Sequence, residues 1–112
     1  MEIYYNPRCS KCREAFNLIE SKGKKVKIVD YLNNPPSAET LKSIVGLLGI
    51  TPLELFRKKE PLFIEKFAHE THSDDEWLQI LSENPILIER PIVIKGKKAV
   101  IGRPTERILE II

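Results

Sequence analysis

Cysteine is scarce in this chain: two in 112 residues, at positions 9 and 12. A structural disulfide framework uses more cysteines, spread to close long loops, so a disulfide-built domain is excluded. No apolar run approaches the roughly 18–20 residues that span a bilayer. The opening Met1-Glu2-Ile3-Tyr4-Tyr5 lacks the basic and apolar regions of a signal peptide and reads as a first strand; the expected location is the cytoplasm. Neither sign of charge dominates, with 18 basic against 16 acidic residues and a net charge of +2, too little to imply nucleic-acid binding. The lysines that do gather, at 22, 24, 25 and 27 and at 95, 97 and 98, read as a solvated helix end and a hairpin tip. Internal repeats and low-complexity tracts are also missing. What is present is an ordinary balance, 42% hydrophobic and 30% charged. The length favours a single domain over 1–112 with one core.

The apolar pattern sets the element order. Ile3, Tyr4 and Tyr5 form a β-prone run halted by Asn6-Pro7. Cys12, Ala15, Phe16 and Ile19 then share one helix face, in a helix that starts near Cys9 and stops at Gly23. Val26 to Tyr31 reads as a second strand, parallel to the first. Pro35-Pro36 breaks the chain, and Ser37 caps a helix bearing Leu41, Ile44, Val45 and Leu48 that Gly49 ends. Thr51-Pro52 opens a helical piece to about Lys58. Ser73-Asp74-Asp75-Glu76 is a capping box for a helix with Trp77, Ile80 and Leu81 inward, closed by Asn84-Pro85. Ile92 to Ile94 and Ala99 to Ile101 flank a Lys95-Gly96-Lys97-Lys98 turn as a hairpin. Pro104 begins a last helix with Ile108, Leu109 and Ile112 facing in. The order βαβ, helical insert at about 37–84, ββα predicts an α/β thioredoxin-like fold with a four-stranded mixed sheet.

The two thiols are unequal. A thiol attacks as its thiolate, and a helix N-terminus lowers cysteine pKa through its unpaired N–H groups and dipole. Cys9 lies where strand gives way to helix, in what reads as an exposed loop with Arg8, Lys11 and Arg13 nearby; it is the expected nucleophile. Cys12, about one turn on, either resolves the product of that attack or is a core thiol on the inward helix face. Zinc is not expected, because His69 and His72 lie far beyond zinc-finger spacing from the cysteines. A C-x5-R phosphatase loop is absent too, since Ala15 and Leu18 stand where the arginine would be.

Asn6-Pro7-Arg8-Cys9, Leu55-Phe56-Arg57-Lys58-Lys59, Asn84-Pro85-Ile86-Leu87-Ile88-Glu89-Arg90-Pro91-Ile92-Val93 and Gly102-Arg103-Pro104 occur in that order. Together they resemble the arsenate reductases of the glutaredoxin-linked, thioredoxin-fold class, over nearly the whole chain; Spx-type transcriptional regulators are relatives. The resemblance implies a cysteine nucleophile, Cys9, ringed by three arginines, Arg57, Arg90 and Arg103, that hold arsenate. It also implies no bound cofactor, glutathione or reduced glutaredoxin or thioredoxin as electron donor, and a cis bond before Pro91. Guanidinium forks suit this task because they bind oxyanions bidentately and offset the charge a thiolate brings. This chain departs from the single-cysteine reductases at Tyr5, where they carry histidine, and at Cys12, an extra thiol. The other readings are a general thiol–disulfide oxidoreductase and an Spx-like redox-sensing regulator that binds RNA polymerase.

Overall fold

The computed structural model describes all 112 residues, which divide into two compact units, Met1–Asn34 with Arg90–Ile112, and Pro35–Glu89. The first unit holds β1 (Glu2–Tyr4), α1 (Ser10–Ser21), β2 (Lys27–Val29), β3 (Ile92–Lys95) and β4 (Lys98–Ile101). Its sheet runs in the order β2-β1-β3-β4. β1 pairs parallel with β2 and antiparallel with β3, and β3 pairs antiparallel with β4. This is the expected four-stranded mixed sheet of a thioredoxin-like fold. Ile3, Val93 and Val100 from three strands meet Ala15 and Ile19 of α1 and Ile108 in one buried cluster.

The two ends of α1 are closed by side-chain and backbone chemistry written in the sequence. Cys9 is its N-cap. At the other end the N–H groups of Gly23 and Lys24 bond to the carbonyls of Glu20 and Ile19 at 2.9 and 3.3 Å. That Schellman pattern needs a left-handed residue after the cap, and Gly23 supplies it with φ of 71°.

β2 is shorter than Val26 to Tyr31. The chain turns at Asp30, whose carbonyl accepts from the Asn34 N–H at 3.0 Å and whose carboxylate accepts from the Asn33 amide at 2.8 Å, and Tyr31 is buried as part of that turn. The last helix also differs. It is a 3-10 helix over Thr105–Glu110, with Pro104 as the residue before it. A three-residue period puts Ile108 inward and turns Leu109 out, 48% exposed, with Ile111 rather than Leu109 packing beside the core.

The second unit holds α2 (Ala38–Leu48), α3 (Pro61–Lys66) and α4 (Asp74–Glu83), with 3-10 turns over Pro52–Leu55 and Pro85–Leu87. Ser37 caps α2, and both Ser73–Glu76 and Thr51–Glu54 form capping boxes. The piece after Thr51 ends at Leu55 rather than Lys58, because Phe56 leaves it to bridge Ile88. The Arg57 N–H donates to the Leu87 carbonyl and the Glu89 N–H to the Leu55 carbonyl, both at 2.7 Å. α3 carries no readable periodicity in its six residues; it is seated by Phe63, which stacks with Phe56 and Trp77. In α4 Trp77, Leu78 and Leu81 are buried and Ile80 is half-buried. Replacing Ser73 with Ala removes the hydroxyl that accepts the Glu76 N–H in the α4 capping box; a loss of about 1 kcal/mol is expected, read as a lower urea midpoint with unchanged m-value.

Candidate active site

β1 delivers the chain to a loop fixed by its own hydrogen bonds. The Asn6 carbonyl accepts from the Cys9 N–H and its side-chain oxygen from the Arg8 N–H, both at 2.9 Å. Arg13 reaches back from α1 to the Pro7 carbonyl at 2.7 Å, an anchor that spacing alone did not announce. Cys9 is therefore not in an exposed loop. It is 4% exposed, because as N-cap it folds its side chain back over the first turn, where its sulfur accepts the Cys12 N–H at 3.3 Å.

β3 and β4 bring two arginines to this sulfur. Arg90 precedes β3 and hydrogen-bonds Cys9. Arg103 follows β4, its Nη2 3.9 Å from the Cys9 sulfur and its Nε donating to the Arg90 carbonyl at 2.6 Å. The Arg90–Pro91 bond is cis, as the resemblance implies, and so is Arg103–Pro104, which no motif signalled. Pro91 packs beneath: its carbonyl accepts from the Gly102 N–H at 2.9 Å. A Cβ on Gly102 would lie 3.0 Å from Pro91 Cγ and 3.2 Å from Ile108 Cδ1, so any larger residue here would have to push those side chains aside. Thr105 donates to Glu14 on α1 at 3.1 Å, and Glu14 also pairs with Lys11 at 3.3 Å.

The electrostatics follow from these contacts. Burial pushes the Cys9 thiol up, but hydrogen bonds from the Cys12 thiol, Arg90 and the Cys12 N–H, with the charge of Arg90, outweigh it and hold Cys9 below the ordinary thiol range. Arg90 responds in the opposite sense: burial opposes its charge, yet Cys9 holds its guanidinium above the usual value. The charge that lowers the Cys9 pKa is that of Arg90, with the Arg103 guanidinium 3.9 Å from the sulfur; Lys11 is engaged by Glu14 and Arg13 by Pro7. Cys12 is fully buried. Burial first, then the neighbouring Cys9, push its thiol up to about 12 against a hydrogen bond from the Asn6 backbone. Of the two, Cys9 gives up its proton more readily and Cys12 holds its own.

Of the expected site residues, Cys9, Cys12, Arg90, Pro91 and Arg103 come together in the first unit. Arg57 belongs to the second, where it donates to the Ile86 carbonyl at 3.1 Å and pairs with Glu60 at 3.1 Å. His72 is held by Glu70 at 2.7 Å and packs edge-on against Trp77. No group of three or more His, Cys, Asp or Glu side chains is placed to hold a metal ion. No helix is long and apolar enough to cross a membrane.

A buried cysteine at a helix N-terminus, with its pKa lowered and two arginines beside it on a thioredoxin-like sheet, is the site of a thiol oxidoreductase. The sequence profile of the ArsC family matches residues 4–111. The arsenate reductase of Haemophilus influenzae is 44% identical over 112 residues, covering 98% of this chain and 97% of that one. YfgD of Escherichia coli K12, described as uncharacterized, is 44% identical over 114 residues, covering 100% of this chain and 96% of its own. The solved arsenate reductase of Vibrio cholerae superposes with a TM-score of 0.93 at 40% identity, covering 100% of this chain and 98% of that one. The chain belongs to the ArsC family and is an arsenate reductase-like enzyme.

Gly102→Ala is expected to lower stability by about 1–3 kcal/mol in urea unfolding through overpacking. It should also slow alkylation of Cys9 at neutral pH, because Arg90 and Arg103 flank the displaced Pro91–Gly102 contact.

Proposed function

We propose that the protein reduces arsenate to arsenite in the cytoplasm, with Cys9 as nucleophile. The observation that carries this reading is the convergence of Arg90 and Arg103 on the Cys9 sulfur. Arsenate is a tetrahedral oxyanion with up to two negative charges near neutral pH, and a thiolate approaching it meets strong repulsion. Two guanidiniums beside the sulfur offset that repulsion and present paired N–H donors to the oxygens. Negative charge grows on those oxygens as sulfur adds to arsenic, so prearranged arginines stabilise the transition state more than the bound substrate. Arg57 is proposed as the third arginine on its motif match. With Tyr5 where single-cysteine relatives carry histidine, activation of Cys9 falls to the helix end, Cys12 and Arg90.

Cys9 attacks arsenic and water leaves, giving a sulfur–arsenic adduct. A second thiol, glutathione or Cys12, releases arsenite, and the resulting disulfide is reduced by glutaredoxin, glutathione or thioredoxin. The position of Arg103 favours an oxyanion site over the regulatory reading, in which Cys9–Cys12 alone would suffice as a switch. A general thiol–disulfide oxidoreductase would use the same thiolate without needing arsenate.

The test is arsenite production by purified protein supplied with arsenate and each donor in turn. Turnover is expected with at least one; none with any would reject the substrate. Arg90→Ala is expected to lower kcat/KM by about 10²–10³, and Arg90→Lys to recover only part, because it keeps the charge and loses the fork. Arg57→Ala is expected to raise KM for arsenate in the same assay.

A further inference from the structure

We propose that Cys12 resolves the sulfur–arsenic adduct inside the protein, so that arsenite leaves as a Cys9–Cys12 disulfide forms and no external thiol takes part before that point. This inference rests on the arsenate reading and deepens it. Its basis is the packing of the first turn of α1. Cys9 stands outside the helix in an extended conformation, φ −94° and ψ 115°, and its sulfur lies 3.3 Å from the Cys12 N–H. The Cys12 thiol also hydrogen-bonds the Cys9 sulfur, so the two sulfurs are already neighbours. A disulfide needs Cβ atoms about 3.5–4.5 Å apart, and Cys9 can adjust toward that without disturbing the helix because its backbone is not helical.

Burial decides what Cys12 can react with. It is 0% exposed, against 4% for Cys9, so an external thiol, disulfide or oxidant has no path to its sulfur. Its polar neighbours are the Cys9 sulfur and the Asn6 backbone N–H. A thiol that only filled core volume would require neither. The thiol proton is held, with the Cys12 pKa pushed up to about 12, so Cys12 does not compete with Cys9 for arsenate and waits for the adduct.

The step balances without a solvent base. Before it, Cys9 sulfur is bonded to arsenic(V) carrying one oxo and two hydroxyl groups. Cys12 sulfur attacks Cys9 sulfur; the S–As bonding pair returns to arsenic, which becomes arsenic(III). The Cys12 proton passes to the oxo oxygen, completing arsenous acid with three hydroxyls. One disulfide forms, two sulfurs lose one electron each, and arsenic gains two. The Asn6 N–H is placed to hold charge on Cys12 sulfur as its proton departs. The disulfide is then opened by a dithiol reductant attacking the Cys9 sulfur, the more accessible of the two, with Cys12 as leaving thiol.

The test is a single turnover of the full chain, reduced and freed of small thiols, mixed with excess arsenate. One arsenite per protein is expected, with loss of both free thiols and a mass lower by two hydrogens. Cys12→Ser and Cys12→Ala should each lose that burst. If wild-type protein releases no arsenite until glutathione is added, internal resolution is overturned and the arsenate reading stands. If it releases none under either condition, the arsenate reading fails and this step with it. A full burst from the Cys12 variants would overturn the role of Cys12 alone.

Discussion

The hydrogen bond from the Cys12 backbone N–H to the Cys9 sulfur, 3.3 Å long, ties the chemistry of this protein to its fold. Helix N-termini leave N–H groups unpaired, and the usual capping side chains are oxygen acceptors. Here the cap is sulfur, and an anionic sulfur accepts better than a neutral one, so capping and activation reinforce each other. The position of the helix start then bears on the chemistry of the sulfur. It is held by the Asn6 turn and Arg13 on one side and by Ala15 and Ile19 packed into the sheet cluster on the other.

Two opposing effects meet at Cys9. Removing a thiol from water favours its neutral form, and here that is the largest single effect on it. It is outweighed only because four contributions, from Cys12 and Arg90, act together. The same low-dielectric setting that penalises the thiolate strengthens each of those contacts. Arg90 and Arg103 are coupled through the Arg90 carbonyl, and the strands that carry them are adjacent in the sheet. The arginine pair is thus placed by the β3–β4 hairpin and the thiolate by β1 and α1, with the Pro91–Gly102 contact fixing the distance between Arg90 and Arg103.

Much of this was legible in the residues. The α1 boundaries, the Ser37 cap, the Ser73–Glu76 box, the parallel β1–β2 pair and the β3–β4 hairpin all follow from capping chemistry and apolar period, because local propensity and tertiary packing agree there. What escaped reading has tertiary causes. Phe56 is drawn out of a helix by a bridge to Ile88, and the last helix tightens to 3-10, which rotates Leu109 to solvent. The burial of Cys9 is not legible there, because Asn-Pro suggests an open loop, whereas the Cys9 side chain folds over the start of α1 and Arg13 ties the loop back at Pro7. The positive charge that favours ionisation of Cys9 comes from a residue 81 positions away in sequence, Arg90, rather than from the basic neighbours beside it. Only the family motifs pointed there.

The most direct measurement is the titration of the Cys9 side chain, followed by the carbon-13 shift of its Cβ in wild-type protein and in Arg90→Ala. With Cys9 stabilised as thiolate, it should remain ionised as pH falls past the range where an ordinary thiol is protonated, and lose its charge only lower down. Arg90→Ala should move that midpoint upward while Cys12 stays a thiol. A wild-type Cys9 that titrates at or above the ordinary thiol value, unmoved by Arg90→Ala, would contradict the central claim that helix cap and arginine together hold this sulfur charged.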